Sequence, residues 1–321
     1  MGKRSITPGA RRMITLAGTS WSFDRASSHL KEFSHIEVSD DTIERVCQEE
    51  GERAKQWIKT SPAPGQMISQ ACGEVEFSTD GTSINTVDGW REIRLSTVLK
   101  REPTTPATPE RWDQRVLNDA TARLSLCSIA DANHVAASWK RLSRQLDLGV
   151  ESVVHMIADG AKWIWDQAGK RLPKHNGSWC VDVYHVSQHL HACGRELLGE
   201  GNAARSWAQE RLRTALSRNG PALIQRLESE QNQMSEDSNR RSMQKLLTYL
   251  GPNRDRMWYA DRLRTGATIG SGQIEGGCKN TIGARLKLNS ARWRVRRAER
   301  IGMLRCLDAS NLWQNFWRSA A

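Results

Sequence analysis

The stretch that decides the fold is residues 75–98, VEFSTDGTSINTVDGWREIRLSTV. Its first part, residues 75–79, alternates apolar and polar side chains, which predicts a strand that ends at the turn dipeptide Asp80-Gly81. Residues 84–87 and 90–98 predict two further strands, because an Asp-Gly pair, a frequent hairpin turn, separates two runs rich in strand-forming residues. We therefore expect three antiparallel strands at the start of a sheet.

Two more strands are predicted further along the chain. Residues 152–158 are a short apolar run that ends at Asp159-Gly160, and its length and β-branched residues predict a buried strand. Residues 179–184 predict a fifth strand, and helical patterns over 131–148 and 161–169 lie on either side of the fourth. The sequence thus predicts an α/β fold. We expect a mixed sheet with helices on both faces, in which the first, fourth and fifth strands are neighbours.

Residues 1–60 are predicted to be an N-terminal helical segment, of which residues 1–12 form a flexible basic end. Ser22 and Ser39 are predicted N-caps of two helices joined by a tight turn, an arrangement that resembles a helix-turn-helix. A packing hairpin without DNA contact is favoured, because the second helix carries six acidic residues: Asp40, Asp41, Glu44, Glu49, Glu50 and Glu52. Residues 59–70 contain two prolines and a glycine and are predicted to be a linker.

Residues 200–265 predict a helical insertion, because helical and polar patterns continue there without a strand signal. Gly270-Ser271-Gly272 then opens a helix, and a further helix closes the chain. A sheet domain is therefore expected in two pieces, residues 70–199 and 266–321, which flank the insertion.

The composition narrows the class of protein. The chain has 321 residues and a formal net charge of +11. It has no stretch near the ~18–20 apolar residues that a membrane span needs, so we expect no membrane partner. Its seven cysteines are odd in number and form no C-x-x-C pair, which favours reduced thiols in a cytoplasmic protein over a disulfide scaffold or a zinc site. The positive charge favours a polyanionic partner, most simply nucleic acid.

The positive charge is concentrated at the C-terminal end. Residues 279–321 hold ten basic and two acidic residues, a balance of +8 (10 − 2) out of the total of +11. Arginines flank an aromatic ring at Arg292-Trp293-Arg294, and such residues can contact phosphates and stack on bases. The candidate DNA-binding residues are Lys279, Arg285, Lys287, Arg292, Arg294, Arg296 and Arg297. A solvated helix face is the alternative explanation for such a run of charges.

Three carboxylates are candidates for a metal site. Asp80 and Asp159 end predicted strands, and Glu275 lies in the first turn of a predicted helix. Ligands gather at the carboxyl ends of central strands in open sheets, so we expect these three side chains to converge. Their mutual repulsion calls for a divalent metal, and oxygen ligands suit Mg²⁺ or Mn²⁺. Two such ions can bind the attacking and leaving oxygens of an in-line phosphoryl displacement. For any single Asp-Gly pair, a plain turn is the better explanation.

Seven segments of the sequence stand in a characteristic order. They are TDGT (79–82), VDGWREIRL (87–95), IADGAKWIW (157–165), VDVYHVSQHL (181–190), IGSGQIEGGCK (269–279), ARLK (284–287) and ARW (291–293). Together they resemble bacterial insertion-sequence transposases of the ISKra type and, more distantly, Mutator-like DDE transposases. The resemblance runs from about residue 10 to the C-terminus. The W-R-E, D-G-A-x-W-I-W and G-S-G-x-x-E segments are specific in combination and not singly.

The resemblance implies an RNase H-like core with a helical insertion before the last catalytic helix. It also implies a catalytic and metal-binding triad of Asp80, Asp159 and Glu275, separated by 79 (159 − 80) and 116 (275 − 159) residues. Asp182 and His185 match a further D-x-x-H motif of related transposases, which would orient DNA or support the metal site and is open to being mistaken for the second triad member. His185 and His189 share a helix face, but zinc is disfavoured because the glutamate of H-E-x-x-H is absent.

The function implied by the resemblance is that of a DNA transposase, which cleaves a strand at the element end and joins the released 3′-hydroxyl to target DNA. Two Mg²⁺ or Mn²⁺ ions, a homo-oligomer on DNA and a cytoplasmic, nucleoid-associated location are expected with it. Related transposases usually carry a longer N-terminal portion, so a truncated copy and a misassigned start both stay open. The alternative function is a catalytically inactive, truncated DNA-binding remnant.

Overall fold

One five-stranded sheet lies at the centre of the computed structural model, which describes residues 6–149, 151–175 and 177–319. Its strands are β1 (Glu74–Thr86), β2 (Gly89–Arg101), β3 (Ala122–Ser128), β4 (Val154–Ala158) and β5 (Trp179–Val181). The strand order is β3-β2-β1-β4-β5. Antiparallel pairing joins β1 to β2 and β2 to β3, whereas β1, β4 and β5 run parallel. The expected mixed sheet, with the first, fourth and fifth strands adjacent, is confirmed.

The strand boundaries differ from the prediction at Asp80-Gly81. The two strands predicted on either side of this pair are one continuous strand, β1, in which Asp80 pairs with Leu95 and Gly81 with Arg94 of β2. The turn predicted there was wrong because thirteen successive pairs with β2 hold the backbone extended. The third antiparallel strand is instead β3, which the sequence analysis missed. The predicted hairpin turn does form after Thr86, and Gly89 there has a φ of +91°, a conformation that favours glycine.

Four helices precede the sheet. They are α1 (Pro8–Ser20), α2 (Phe23–Ser34), α3 (Asp40–Thr60) and α4 (Ala63–Gln70). The predicted caps are confirmed, since the hydroxyls of Ser22 and Ser39 accept hydrogen bonds from the first turns of α2 and α3. Two predictions were wrong. Residues 8–12 of the expected flexible end are helical, because Thr7 caps α1 and Pro8 opens it, while residues 1–5 lie outside the described part. The expected linker contains α4, which has Pro62 as its N-cap residue and Pro64 in its first turn.

Helices cover both faces of the sheet, as expected. Next in the chain come α5 (Ala132–Gln145), α6 (Lys162–Ala168) and α7 (Val183–Leu198). On one face, the Trp139 ring of α5 packs edge-on against Phe77 at 5.2 Å between centroids, and its indole N–H donates to Ser96. The fifth strand is shorter than predicted, because Asp182 caps α7 and the helix begins at Val183.

Residues 200–265 are all described, and they form helices and no strand, as the sequence predicts. The segment contains α8 (Asn202–Gln233), α9 (Asp237–Leu250), a 3₁₀ helix (Gly251–Arg256) and α10 (Tyr259–Thr265). A kink interrupts α8 at Asn219, two residues before Pro221, because proline cannot continue the backbone ladder. The predicted domain boundaries stay a prediction.

The closing helices cover the second face of the sheet. They are α11 (Gly272–Gly277), a π-helical turn (Cys278–Gly283), α12 (Ala284–Leu286), α13 (Val295–Ala309) and α14 (Trp313–Arg318). A Cβ atom on Gly277 would lie 2.8 Å from Leu95, and one on Gly302 would lie 2.8 Å from Cys127, so α11 and α13 press closely on β2 and β3. Among the described residues, no helix is both long and apolar enough to span a membrane.

Candidate metal centre at the parallel strands

Three aspartates stand in one row across the parallel strands. Ser78 of β1 pairs with Ile157 of β4, and Ala158 of β4 pairs with Val181 of β5. Two residues after the first pair come Asp80 and Asp159, and one residue after the second pair come Asp159 and Asp182. The same register therefore places the three aspartates side by side. Asp159 and Asp182 directly follow β4 and β5. Asp80 lies inside its strand and not at its end, because β1 extends beyond its parallel neighbours.

Asp80 is partly buried and has carboxylates for neighbours. Burial is the main cause that raises the pKa of Asp80, and the N–H of Gly81, which donates to the Asp80 carboxylate at 2.7 Å, opposes it. The negative charges of Asp159 and Glu275 raise this pKa further. Asp80 therefore lies close enough to both of the other carboxylates predicted from the sequence to be repelled by them. Their repulsion is the electrostatic condition that favours a bound cation.

The side chain of Asp159 is held by its own turn. Its Oδ1 accepts a hydrogen bond of 2.9 Å from the backbone N–H of Ala161, and the indole of Trp165 donates to its backbone carbonyl. The predicted helix at residues 161–169 supplies both donors. Two local hydrogen bonds therefore support part of this turn at the end of β4.

Asp182 is completely buried and is the best-supported carboxylate of the site. It accepts hydrogen bonds from the backbone N–H groups of Tyr184, at 2.6 Å, and Ser271, at 3.2 Å, and from the hydroxyl of Ser271. Burial acts to raise the pKa of Asp182. The contacts with His185, Ser271 and the Tyr184 N–H outweigh it, so the pKa is lowered and the carboxylate stays ionised.

Asp182, His185 and Glu275 form a compact group in which one ligand atom from each lies within 4.8 Å of the others. The hydroxyl of Ser271, 3.2 Å from Glu275 Oε1, links the glutamate to Asp182. The helix α11 thus brings Glu275 to the end of β5 as well as to Asp80. Among the described residues this is the one such group of three, and neither Asp80 nor Asp159 belongs to it.

The ring nitrogen Nδ1 of His185 is placed where it can bind a cation. His185 Nδ1 is buried and lies 3.3 Å from Asp182 Oδ2, but it has no partner in hydrogen-bonding geometry within the described part of the chain. Contact with Asp182 raises the pKa of His185, burial opposes this, and the charges of Asp159 and Glu275 add to the rise. Two carboxylates beside an imidazole nitrogen fit a divalent cation, and this donor set does not single out one metal.

The other histidines of α7 do not join the site. The His189 ring stacks on Tyr249 at 3.6 Å between centroids, and His191 Nδ1 lies 2.8 Å from the carbonyl oxygen of Ser187. Neither residue belongs to the group of three described above. The pairing of His185 with His189 that the sequence analysis considered for zinc is therefore not part of this group.

One candidate DNA-binding residue, Arg285, is buried in the fold. Arg285 is 2% exposed, its Nε donates to the backbone carbonyl of Gly18 at 3.0 Å, and its guanidinium lies over the rings of Phe23 and Trp293. Burial lowers the pKa of Arg285 to about 10. The expectation that Arg285 contacts DNA was wrong, because the side chain ties the C-terminal segment to the N-terminal helices.

The other candidate DNA-binding residues lie at or near the surface. Four carry exposed side chains with no ion pair among the described residues: Lys279, Arg292, Arg294 and Arg296. Lys287 is exposed and donates to the hydroxyl of Thr82, on the strand that holds Asp80. Arg297 is half-buried and pairs with Glu44 of α3, so it is less free to meet a phosphate.

Sequence reasoning missed two side chains of the site. Ser271 joins Asp182 to Glu275, and its place in a Gly-Ser-Gly segment before a helix is the signal that could have found it. Tyr249 of α9 packs against the Asp159-Gly160 turn, and no local sequence pattern predicts that contact. Neither a protein-family model nor a curated protein sequence matches this chain significantly.

Proposed function

We propose that the protein is a DNA transposase of an insertion sequence, a phosphoryl-transfer enzyme that cleaves and joins DNA strands with divalent metal ions. The observation that carries the proposal is the row of Asp80, Asp159 and Asp182, onto which α11 brings Glu275. The strand order β3-β2-β1-β4-β5, with three antiparallel strands followed by two parallel ones, supports an RNase H-like core. The resemblance in sequence supports the same function.

The site offers ligands for more than one cation. Asp80, Asp159 and Glu275 would hold the metals, and Asp182 with His185 lies close enough to Glu275 to share in holding one of them. Bound Mg²⁺ or Mn²⁺ ions would supply Lewis-acid activation of the attacking and leaving oxygens. The Ser271 hydroxyl lies between Asp182 and Glu275 and can donate its single proton to either carboxylate. Asp182 stays ionised and raises the pKa of His185, so a cation that binds His185 would have to displace the proton from its ring nitrogen.

DNA is the partner that the charge distribution supports. Lys287, directly after α12, donates to Thr82 of the strand that carries Asp80, and Lys279 lies in the π-helical turn that directly follows the helix of Glu275. Arg292, Arg294 and Arg296 would continue this basic surface towards α13. A homo-oligomer on DNA and association with the nucleoid are parts of the same proposal.

The test separates catalysis from binding. The purified protein is incubated with Mg²⁺ or Mn²⁺ and a plasmid that carries the DNA flanking the coding sequence, and strand cleavage and DNA affinity are measured in parallel. Asp80→Asn, Asp159→Asn and Glu275→Gln should each lower cleavage by more than the ~10–100-fold that loss of supporting residues around a metal typically costs. DNA affinity should be retained in all three.

The matched control is Asp88→Asn, which changes the aspartate of the other Asp-Gly pair, in the hairpin turn far along β1 from the site. Its cleavage rate should equal that of the wild-type protein. If each of the three single variants still cleaves DNA at the wild-type rate, the assigned site is contradicted. A wild-type protein that binds the DNA but cleaves nothing would instead favour the inactive DNA-binding remnant.

A further inference from the structure

Tyr249, in the helical insertion, leaves no room for a side chain at residue 160. A Cβ atom built on Gly160 would lie 2.5 Å from both the Cε2 and the Oη of Tyr249, closer than real Cβ atoms approach. Gly160 does not have a positive φ, so its backbone conformation alone does not demand glycine. Glycine is required there because the Tyr249 ring comes so close to the backbone. The insertion therefore contacts the backbone directly after Asp159.

The same ring is held from its other side by α7. His189 stacks on Tyr249 with 3.6 Å between centroids and an interplanar angle of 23°. His189 lies one helical turn after His185, the histidine of the candidate metal group. Tyr249 thus stands between the turn that carries Asp159 and the helix that carries His185.

The hydroxyl of Tyr249 is unusual for a structural tyrosine. It is buried, and no described residue accepts a hydrogen bond from it. Burial, followed by the charge of Asp159, raises the pKa of Tyr249 to about 12, while the nearby backbone N–H of Gly160 acts to lower it. The phenol therefore keeps its proton at neutral pH, next to the acidic site. Tyr259 provides the contrast, because it is also buried but donates its hydroxyl to the carbonyl of Val181 at 2.8 Å. A buried donor left without a partner is costly in a purely structural position.

We propose that Tyr249 is a positioning residue of the metal centre, through which the helical insertion holds the Asp159-Gly160 turn in its metal-binding conformation. This inference rests on the proposed function, since it assigns Asp159 to a metal site. It gives the insertion a role in the chemistry: the insertion supplies one wall of the site, and displacement of α9 would release the turn at the end of β4. Tyr249 acts through Asp159 and does not itself bind the metal.

The test measures Mn²⁺ binding by isothermal titration calorimetry, with the full chain and without DNA. Tyr249→Ala removes the ring and should raise the Kd of Mn²⁺ by about 10–100-fold, the usual effect of removing a support around a metal site. Tyr249→Phe keeps the ring and should raise it less. Gly160→Ala should weaken binding when Tyr249 is present, and should add little to Tyr249→Ala, because the clash is then gone.

Met243→Ala is the control for a loss of packing. Met243 is fully buried in the same helix, six residues before Tyr249, and its truncation should lower the thermal stability and leave the Kd of Mn²⁺ unchanged. Equal Kd values for wild type and Tyr249→Ala would overturn the inference alone. A wild-type protein that binds no Mn²⁺ would overturn the proposed metal centre and this inference with it. If Tyr249→Ala does not fold, an unchanged Kd in Gly160→Ala overturns the inference.

Discussion

Replacement of Ser271 by alanine tests how the buried carboxylate of Asp182 is stabilised. Ser271 is 3% exposed and Asp182 is 0% exposed, so water cannot take the place of the lost hydroxyl without rearrangement. A hydrogen bond to a charged group contributes about 1.5–3 kcal/mol to stability. The backbone N–H groups of Ser271 and Tyr184 remain as donors in the variant. We therefore expect Ser271→Ala to lower the free energy of unfolding by about 1.5–3 kcal/mol at pH 7.

The pH dependence of this loss has a definite sign. The folded-state pKa of Asp182 is lowered, so its ionisation stabilises the fold above the unfolded-state pKa of about 3.9, and this contribution is lost as the pH falls through the folded-state pKa. Because the Ser271 hydroxyl is one cause of the lowering, the variant should have a pKa closer to the ordinary value. The difference in stability between wild type and Ser271→Ala should consequently shrink below about pH 4.

The assay is urea denaturation from pH 3.5 to 7.5, without added metal. The matched control is Ser310→Ala, because Ser310 is equally buried but its hydroxyl bonds only to neutral backbone groups, the N–H of Ser125 and the carbonyl of Cys306. That variant should lose about 0.5–1.5 kcal/mol, with no change over this pH range. Two results would refute the reasoning. One is a loss in Ser271→Ala below about 0.5 kcal/mol, the lower end of the range for an ordinary hydrogen bond. The other is a loss that does not change with pH.

Two further predictions concern the acidic site and the basic surface. Because the folded-state pKa of Asp80 is raised, its ionisation costs stability as the pH rises above about 3.9, so Asp80→Asn should make the metal-free protein more stable at pH 7 and not at pH 3.5. Urea denaturation in the presence of a chelator measures this, and a destabilised variant at pH 7 would contradict it. Joint replacement of Lys279 and Lys287 by alanine should flatten the slope of log affinity for duplex DNA against log salt by up to about 1.8, or about 0.9 per phosphate contact. Arg285→Ala is the control, since it should lower the stability and leave the slope unchanged; an unchanged slope in the double variant would show that these lysines do not hold DNA.

Local chemistry made much of the fold predictable. Ser22 and Ser39 cap their helices through their own side chains, so a few neighbouring residues contain the whole signal. Asp80-Gly81 misled because its turn propensity is a local preference, whereas pairing with a distant strand decides the backbone there. The third strand, β3, escaped notice because it follows a proline-rich loop and its sequence, ARLSLCS, contains no β-branched or aromatic residue.

The candidate site was predictable to a lesser degree. Asp80, Asp159 and Glu275 could be proposed as a set from the resemblance and from apparent strand ends and a helix start. The strand end at Asp80 was wrong, but the charges of Asp159 and Glu275 do act on Asp80 in the fold. The closer grouping of Glu275 with Asp182 and His185 depends on how far α11 lies from β5, which no local pattern encodes. Arg285 failed as a surface residue for the same reason, since its burial depends on helices almost 270 residues earlier in the chain.

The burial of Arg285 restricts how this protein can change during evolution. Its guanidinium is enclosed by Phe23 of the N-terminal helices and by Trp293 of the closing segment, and it bonds to the backbone of Gly18. A gene fusion that replaced the first 60 residues with an unrelated module would leave this cation in the interior with its carbonyl partner and one of its rings missing. The N-terminal helices and the helix that follows Glu275 must therefore be inherited together, even though the sequence between them spans more than 200 residues.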